Sequence, residues 1–526
     1  MKRRVFLRQS LPASVLLPGL FNGFSLNALT DQSPLYKALM LPTTETDNVL
    51  VLIQLNGGND GLNTIVPLEF YSNYFNARNN IAIPENKVLN LSGTTKIGLH
   101  PLMTGLQSMY NEGKVSIIQS VGYPTPNFSH FRATDIWMSG SDSNQYLQSG
   151  WMGRYLNYEY PNFPNGYPNT TMTDPLAIQI GSITSFTLQG PSVSMGMSIS
   201  NPSSFYNLVN GVQDPAPNTP AGKELTYIRT ISQQTQQYAQ VVKDAAAKVT
   251  TQATYPTGNS LADQLKIVAR LIKGGLKTRV YMVSMGGFDT HAAQVVSTDT
   301  TIGTHATLLQ RVSDAVKAFQ DDLKFLSVED RVLGMTFSEF GRRIKSNGST
   351  GTDHGSAAPM FVFGKKVLPG IIGQTPTIGT TVNVNDNIPY QYDFRSVYAS
   401  ILENWLCINN TALQTVLLKN YQSLPIVSTT GCKTSNPNNS GNNLIRNYPN
   451  PFNTKTTISF YTDGGYTLVQ IIDPLGRVLK HIVDQNYATA GTYTATFDSG
   501  VLPNGVYYAR LQNQTVQQVI AMLKVN

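Results

Sequence analysis

The stretch Asn48-Val-Leu-Val-Leu-Ile-Gln-Leu55 decides the fold of this 526-residue chain. It is a near-continuous apolar run bounded by Gly57 and Gly58, which is typical of a strand buried on both faces of a sheet. Similar short runs recur at residues 115–120, 279–284, 331–337 and 360–363. Between them lie helical patterns at residues 101–112, 262–274, 306–326 and 395–406. This alternation predicts an α/β domain with a largely parallel sheet.

Changes in composition divide the chain around this domain, which we place at residues 47–427. Residues 145–260 interrupt its rhythm with Asn-, Pro-, Gly- and Tyr-rich sequence and then a Gln/Ala-rich helical pattern, so we interpret them as an insertion or a cap over the sheet edge. Residues 428–442 form a polar linker. The short alternating strands of residues 443–526, broken by Gly, Asp and Asn, predict a small β-sandwich.

The N-terminus has the pattern of an export signal. In residues 1–29, a basic start precedes the apolar run Leu11 to Leu20, which is too short to span a bilayer. Arg3-Arg4-Val-Phe6-Leu7 resembles a twin-arginine signal, the route for proteins that fold and load a cofactor before export. The alternative is an ordinary secretory signal whose basic region happens to contain two arginines.

Composition also favours an exported protein and argues against nucleic-acid binding. Only 13% of the residues are charged, about half the usual share. Of the formal charge of +7, four positives lie in the first eight residues, so the rest of the chain carries about +3 and offers no basic aromatic patch for nucleic acid. The two cysteines, Cys407 and Cys432, fit either one disulfide in an oxidising compartment or two buried thiols.

Polar motifs follow four of the predicted strands, at the edge where ligands bind in open α/β sheets. They are Asn56-Gly-Gly-Asn-Asp60, Asn127-Phe-Ser129-His130, Gly286-Gly-Phe-Asp289-Thr-His291 and Ser338-Glu339-Phe-Gly341-Arg342. A fifth motif, Gly351-Thr-Asp353-His354-Gly355, precedes the run at residues 360–363, so the chain must fold back to bring it to the same edge. We expect these motifs to form one site.

The residue types in these motifs suit metal-assisted hydrolysis. Carboxylates and imidazoles bind Zn²⁺ or, with more oxygen ligands, Mn²⁺, Mg²⁺ or Ca²⁺, and we expect one or two such ions. The expected ligands are Asp60, Asp289, His291, Asp353 and His354, with His130 and Glu339 as further candidates. Ser129 is the candidate nucleophile, with its hydroxyl acidified by a metal. Arg342 is the candidate clamp for an anionic oxygen.

Structural roles compete with some of these assignments. Asp60 precedes a glycine and also fits a turn residue. Glu339 also fits an ion pair with one of the arginines that follow it. His100 fits a helix start and His305 fits the amphipathic helix, so we assign neither to the site.

From residue 47 to about residue 425 the chain resembles the bacterial family called domain of unknown function 1501, within the alkaline-phosphatase/sulfatase-like superfamily. The matching pieces are Leu55-Asn-Gly-Gly-Asn-Asp-Gly-Leu-Asn63, Ser129-His-Phe131, Gly150-Trp-Met-Gly-Arg-Tyr-Leu156, Gly287-Phe-Asp-Thr-His291, Ser338-Glu-Phe-Gly-Arg342, Gly351-Thr-Asp-His-Gly355 and Asp393-Phe-Arg-Ser-Val397. The resemblance implies a three-layer α/β/α sandwich and a two-metal centre that hydrolyses phosphate or sulfate esters.

The resemblance also implies residue roles, and this chain departs from them in two ways. Asp60, Asp353 and His354 would hold one ion, Asp289 and His291 the other, and Ser129 would be the nucleophile. The superfamily usually spaces the ligands of the second ion more widely, and the main domain offers that ion no clear later histidine, so we expect one site to be altered, weak or absent. The formylglycine signature of ordinary sulfatases, Cys or Ser followed by x-Pro-x-Arg, is missing around Ser129.

The C-terminal segment resembles the type A sorting domain of the type IX secretion system. The matching pieces are Asn447-Tyr-Pro-Asn-Pro-Phe452, Asp473-Pro-Leu-Gly-Arg477, Gly491-Thr-Tyr493, Leu502-Pro-Asn-Gly-Val-Tyr-Tyr508 and Lys524-Val-Asn526. The resemblance implies export across the outer membrane of a Bacteroidetes-type cell by the type IX machinery. The cargo would then be released or fixed to surface lipopolysaccharide. The alternative is an Ig-like binding module.

The sequence therefore predicts an exported hydrolase-like protein that acts on small anionic esters through Ser129 and divalent metal ions. The competing hypothesis is a surface binding or structural protein that keeps the fold and one metal without turnover. Sequence does not separate the two, because the ligands for binding and for catalysis overlap.

Overall fold

The structure is a computed structural model of the chain. It describes residues 20–21, 24–25, 46–161, 163–201, 238–428, 432, 445–448, 450, 452–462, 464–473, 477–489, 491–513 and 517–525. The predicted export signal and linker fall almost entirely outside these residues; at the N-terminus only Leu20–Phe21 and Phe24–Ser25 are described, as a small antiparallel pair. Two compact units, Met1–Lys433 and Thr434–Asn526, divide the chain.

The first unit is built on a nine-stranded sheet. Its strands are β1 (Val49–Leu55), β2 (Val115–Gly122), β3 (Ala177–Ile180), β4 (Met197–Ile199), β5 (Val280–Met285), β6 (Val332–Phe337), β7 (Ala358–Phe363), β8 (Gly370–Ile372) and β9 (Tyr392–Asp393). The order is β8-β2-β7-β6-β1-β5-β3-β4, and β9 pairs with the last residues of β2. All strands are parallel except β7, which runs antiparallel to β6 and β2.

Helices cover both faces of this sheet. They are α1 (Gly61–Thr64), α2 (Tyr71–Ala77), α3 (Thr104–Asn111), α4 (His130–Ser139), α5 (Trp151–Glu159), α6 (Ser260–Lys273), α7 (Thr304–Phe325), α8 (Phe394–Asn404) and α9 (Asn410–Leu417), with a further helical run at residues 238–247. Apolar residues of α3, α6 and α7 share one hydrophobic cluster, and those of α4, α5, α8 and α9 share another. The predicted α/β/α sandwich is confirmed.

The central strand β1 explains why the sheet needs a layer on each side. Val49, Val51 and Ile53 belong to one hydrophobic cluster, whereas Leu50 and Leu52 belong to the other, because successive side chains of a strand point to opposite faces. All five are fully buried. Burial of each such side chain contributes about 1.5–3 kcal/mol, so the apolar run anchors both helix layers.

Residues 145–260, which we interpret as an insertion or a cap, contribute strands to the main sheet. β3 pairs with β5, and β4 pairs with β3, so this segment extends the sheet at one edge. The reason lies in the short sequence Ala-Ile-Gln-Ile of β3, which is buried throughout. The same segment also supplies α5 and the helical run at residues 238–247.

Short elements complete the first unit. Ile65–Val66, Leu89–Asn90 and Gly98–Leu99 form a three-stranded sheet, and 3-10 turns occur at Leu68–Phe70, Glu85–Lys87, Phe186–Leu188 and Glu329–Arg331. Cys407 and Cys432, whose pairing the sequence leaves open, form a disulfide with their Cα atoms 5.3 Å apart. In the described part of the chain, no helix is both long and apolar enough to cross a membrane.

The second unit is made of antiparallel strands. They are β10 (Ile445–Tyr448), β11 (Lys455–Thr462), β12 (Gly465–Ile472), β13 (Val478–Tyr487), β14 (Gly491–Asp498), β15 (Gly505–Asn513) and β16 (Gln517–Lys524). They form two sheets, β10-β11-β14 and β13-β12-β15-β16. Apolar residues of both sheets share one hydrophobic cluster, as in a small β-sandwich.

Candidate active site

The polar motifs meet at one edge of the main sheet. The loops after β1, β2, β5 and β6 all leave the carboxyl ends of parallel strands. The motif at residues 351–355 arrives from the other direction, because β7 is antiparallel and therefore begins at this edge. Gly341–Arg342 pairs with His354–Gly355 in a short antiparallel bridge that folds the chain back, as the sequence requires.

Two glycines allow these loops to approach one another closely. A Cβ atom on Gly57 would lie 2.3 Å from the backbone nitrogen of Asp289, and the φ of Gly57 is +124°, a conformation that other residues rarely adopt. A Cβ atom on Gly351 would lie 2.3 Å from the carbonyl oxygen of His291. Any larger side chain at either position would force the loops apart.

Three imidazoles surround the carboxylate of Asp289. The Nε2 atoms of His291 and His354 both lie 3.1 Å from Asp289 Oδ1, and they lie 2.8 Å from each other. Nε2 of His130 lies 3.3 Å from Asp289 Oδ2. The ligand atoms of His130, Asp289 and His354 all fall within 4.8 Å of one another. Side chains from three different loops therefore meet around the Asp289 carboxylate.

The opposite ring nitrogen of each histidine has its own partner. Nδ1 of His354 lies 2.8 Å from the carbonyl oxygen of Phe128, which can only accept a hydrogen bond, so this nitrogen carries the proton. Nδ1 of His291 lies 3.2 Å from Asp353 Oδ1, and Nδ1 of His130 lies 2.8 Å from Glu339 Oε1.

These partners assign the tautomer of each ring. With the proton on Nδ1, each Nε2 presents a lone pair toward Asp289. Within the described residues, the buried Nε2 of His130 has no hydrogen-bond partner. The lone pairs of three imidazoles thus face a carboxylate, an arrangement that is repulsive unless a proton or a cation lies between them.

The charges around the site keep its acids ionised. Burial raises the pKa of Asp289, but the hydrogen bond from Arg342 and the nearby positive charge outweigh it and lower the pKa to about 2. For Asp353, burial is likewise outweighed by hydrogen bonds from Asn347 and His291, which lower its pKa. Burial lowers the pKa of His354 and so favours its neutral form, despite the carboxylate of Asp289 beside it.

Arg342 lies behind the site and not on its surface. Its side chain is fully buried, and its guanidinium donates to the carbonyl oxygens of Gly57, Gly58, Phe288 and Thr352 and to Asp289 Oδ1 at 2.7 Å. The sequence predicts a clamp for a substrate oxygen, but a side chain with its donors engaged and no exposure does not reach a substrate. The structure instead shows a tie between three loops.

Asp60 is also placed differently from the expected metal ligand. Its two oxygens lie 2.9 and 2.7 Å from Nη1 of Arg78, and both side chains are almost completely buried. Burial raises the pKa of Asp60, but Arg78, His305 and Gln294 outweigh it and hold the pKa below its usual value. Asp60 is thus an ionised carboxylate with a permanent cation of its own, outside the group around Asp289.

Gln294 connects Asp60 to the site. Its Nε2 donates to Asp60 Oδ2 at 2.6 Å, which fixes the orientation of the amide. Its Oε1 accepts hydrogen bonds from the hydroxyl groups of Thr290 at 3.0 Å and Thr352 at 2.9 Å. Thr290 lies between Asp289 and His291, and Thr352 precedes Asp353. Through Gln294, Asp60 therefore connects the loop that carries Asp289 and His291 to the loop that carries Asp353 and His354.

Ser129 stands at the entrance to this group. It is the exposed residue that precedes α4, between Phe128, whose carbonyl orients His354, and His130. Its backbone N–H donates to Asn127 Oδ1 at 2.9 Å, and its hydroxyl makes no hydrogen bond to a described residue.

Some functional residues have no clear signal in the sequence. Arg78 and Gln294 lie outside every motif, and only their contacts in the folded chain reveal their roles. His130 and Glu339 are further candidates in the sequence, and their spacing of 209 positions hides their mutual bond. The adjacency of Ser129 and His130 is the one sequence signal that points to His130.

The fold and the site together define an α/β/α protein with a carboxylate–imidazole centre at the carboxyl edge of a mostly parallel sheet. The chain belongs to the family described as Protein of unknown function (DUF1501), whose model matches residues 47–402. Residues 446–524 match the Secretion system C-terminal sorting domain. No curated protein matches the chain.

Several solved structures are similar to the chain. One, described under the metabolism of multiple glycosaminoglycans by Bacteroides thetaiotaomicron, has a TM-score of 0.35 and 9% identity and covers 91% of this chain and 89% of its own. A protein in the alkaline phosphatase superfamily from Vibrio parahaemolyticus has a TM-score of 0.31 and 9% identity, and the match covers 92% of this chain and 83% of that one. An alkaline phosphatase from the Antarctic bacterium TAB5 has a TM-score of 0.25 and 12% identity, and the match covers 61% of this chain and 92% of that one. Scores this low carry no statement about activity.

Proposed function

We propose that this protein is an exported metal-dependent hydrolase of phosphate or sulfate esters, with Ser129 as its nucleophile. The observation that carries the proposal is the convergence of three imidazole lone pairs on the carboxylate of Asp289. A divalent cation at that point turns a repulsive arrangement into a stable one. Three histidines and one carboxylate form a donor set suited to Zn²⁺ and to other first-row divalent ions.

The separations between the donor atoms fit this assignment. Metal–ligand bonds of about 2.0–2.2 Å place neighbouring ligand atoms about 3.0 Å apart in octahedral geometry and about 3.4 Å apart in tetrahedral geometry. The three atoms His291 Nε2, His354 Nε2 and Asp289 Oδ1 are separated by 2.8 to 3.1 Å. We propose these three residues as ligands, with His130, whose Nε2 lies 3.3 Å from Asp289 Oδ2, as the fourth.

This ligand set omits Asp60 and Asp353 of the predicted ligands and adds His130, which the sequence gives as a further candidate. Asp353 and Glu339 act on the Nδ1 atoms of His291 and His130, as the outer partners of metal-binding histidines commonly do. Asp60, which the sequence assigns to the first ion, supports the loops through Gln294. The result is a single centre where the resemblance implies two.

Ser129 is suited to nucleophilic attack by its place in the fold. Its hydroxyl is exposed at the N-terminus of α4, where the helix dipole and the first N–H groups favour negative charge on an alkoxide or an anionic ester. When bound, a divalent ion supplies the positive charge that acidifies a serine hydroxyl and neutralises an ester oxygen. His130, the next residue, fixes the approach of Ser129 to the centre.

Arg342 contributes by position. By joining the backbone of residues 57–58, 288 and 352 to the Asp289 carboxylate, it holds that carboxylate in one orientation. We assign it as a positioning residue in place of the substrate clamp.

The C-terminal sorting domain implies secretion or the cell surface. We propose that export uses the twin-arginine route followed by the type IX machinery, with the cargo released or fixed to surface lipopolysaccharide. Deleting residues 443–526 should trap the protein in the periplasm. Normal appearance of the truncated protein in the medium would contradict this route.

One observation favours the competing hypothesis of a non-catalytic surface protein. Within the described residues, the geometry offers a single group of side chains that could hold a metal ion, whereas the resemblance implies a two-ion centre. One ion can stabilise a fold or bind a ligand without turnover.

Elemental analysis and an ester panel distinguish the two functions. We expect about one equivalent of a divalent metal per chain and turnover of aryl phosphates, phosphodiesters or aryl sulfates that Ser129→Ala abolishes with the metal retained. Ser143→Ala, a hydroxyl on a neighbouring exposed loop, serves as the matched control. Bound metal without turnover on any of these esters would support the binding protein.

A further inference from the structure

A second concave site lies beside α4. It is a cavity of about 220 Å³ lined by Arg132, Asp135, Tyr146, Gln148 and Phe186, among others. None of these residues belongs to the group around Asp289, and the proposed hydrolysis uses none of them. The cavity is smaller than the roughly 300–1,000 Å³ of sites for drug-sized molecules, so it suits a single ring or a short piece of a longer ligand.

The position of the cavity follows from the helix. Because an α-helix turns by about 100° per residue, Arg132 and Asp135 lie on the side of α4 roughly opposite His130. Asp135 is six residues beyond Ser129, about 9 Å along the axis. By the same rotation, Ser129 lies about 60° from Arg132 around the helix axis. A molecule held at Ser129 can therefore extend along this side of α4 into the cavity.

Arg132, which lines the cavity, has a buried donor without a partner. Arg132 is only 9% exposed, and its Nη2 donates to backbone carbonyl oxygens of the loop at residues 142–145, so its guanidinium is fixed. The ring of Tyr146 stacks on it, with the guanidinium carbon 3.9 Å from the ring centroid. Its Nε is buried and has no hydrogen-bond partner in the described part of the chain. A buried N–H without an acceptor is unfavourable, and a ligand oxygen would satisfy it.

We propose that this cavity is a saccharide subsite that holds a sugar ring of the ester's organic part. Tyr146, which lines the cavity and is 73% exposed, offers a flat ring for the apolar face of a pyranose. Arg132 Nε donates, the Asp135 carboxylate accepts, and the Gln148 amide does both, which matches neighbouring hydroxyl groups that donate and accept in turn. The charges of Arg132 and Asp135 balance, which favours an uncharged polyhydroxylated ring over an anion. The inference rests on the proposed function in one respect only: the ester group of the bound saccharide is placed at Ser129.

Saccharide binding can be measured without turnover. The full-length chain carrying Ser129→Ala is titrated by calorimetry with hexasaccharides of glucose, galactose, mannose and xylose. We expect at least one to bind, and Tyr146→Ala or Gln148→Ala to weaken that binding about tenfold. Both side chains are exposed, so these variants are expected to fold. Phe325→Ala, which removes another exposed phenylalanine at the end of α7, should leave affinity unchanged.

The outcomes separate this inference from the proposed hydrolysis. Binding that persists after metal removal and depends on Tyr146 and Gln148 supports the subsite, even if no ester is turned over. The absence of binding to every hexasaccharide overturns the subsite, even if aryl esters are hydrolysed. Binding that neither Tyr146→Ala nor Gln148→Ala weakens also overturns it, because the sugar would then lie elsewhere.

Discussion

Two aspartates at the ends of neighbouring parallel strands have opposite environments. Asp60 follows β1 and Asp289 follows β5, and the sequence predicts both as metal ligands. Asp60 is buried against Arg78, whereas the side chain of Asp289 is 47% exposed and faces three imidazoles. A strand-end position therefore brings a carboxylate to the site without deciding its role. The partner that neutralises its charge decides that role.

The largest expected effect concerns the buried pair. Arg78→Met leaves Asp60 as an uncompensated charge in the interior, so the free energy of unfolding should fall by about 3–5 kcal/mol. Urea denaturation of the metal-free protein measures it, because no bound ion then contributes. Lys96→Met, which removes an exposed partner of Glu69, is the control and should change stability by less than about 1 kcal/mol. A small effect of Arg78→Met would remove the contrast between the two aspartates.

The second prediction addresses the other aspartate. Asp289→Asn removes the negative charge among the imidazoles, so metal affinity should fall by more than about a hundredfold, beyond the loss caused by outer partners. The half-exposed position predicts a much smaller loss of stability in the metal-free protein than Arg78→Met produces. Competition with a chromogenic chelator measures the affinity. Unchanged affinity in this variant would rule out Asp289 as a ligand.

The third prediction tests the division between ligands and their outer partners. Asp353→Ala removes the acceptor at Nδ1 of His291, so metal affinity should fall about 10–100-fold. Asp353→Asn keeps an oxygen acceptor and should recover part of this loss. If both variants lose metal as completely as Asp289→Asn, Asp353 is a direct ligand, as the sequence predicts.

The smallest effect is a pH dependence. Because the folded pKa of Asp60 lies below its ordinary value of 3.8, its contribution to stability is complete above that value and is lost as the pH falls through the folded pKa. Asp60→Asn should therefore flatten the acid limb of the stability curve below about pH 4. Denaturation at pH 2 to 7 measures this, with Asp263→Asn, which replaces an exposed carboxylate on α6, as the control. Parallel acid limbs in the wild type and Asp60→Asn would contradict the assignment.

Much of the fold is predictable from the sequence because burial on both faces leaves a plain signal. The apolar run at residues 48–55 becomes β1, and the amphipathic pattern at residues 306–326 becomes α7. Periodicity does not show the direction of a strand. The apolar run of β7 gives no sign that the strand is antiparallel, and this reversal explains why Asp353 and His354 reach the site.

The candidate site is predictable as a place but less so in its detailed chemistry. Strand ends and residue types bring Ser129, Asp289, His291 and His354 into one region. The fate of Asp60 depends on Arg78, which is 18 positions away and outside any motif. Arg342 likewise is a residue type that commonly binds anions, and only its burial in the folded chain shows that it binds the Asp289 carboxylate instead. Charge partners that meet through tertiary folding leave no local pattern.

The bond between His354 and the Phe128 carbonyl joins positions 226 residues apart. The donor set around Asp289 therefore exists only in a chain in which strands β1 to β7 have already paired into the sheet. An unfolded chain has no such set to offer, so an ion held there shifts the folding equilibrium toward the native state in proportion to its concentration and affinity. A chain that binds an ion at this set would therefore unfold less readily than the same chain without it.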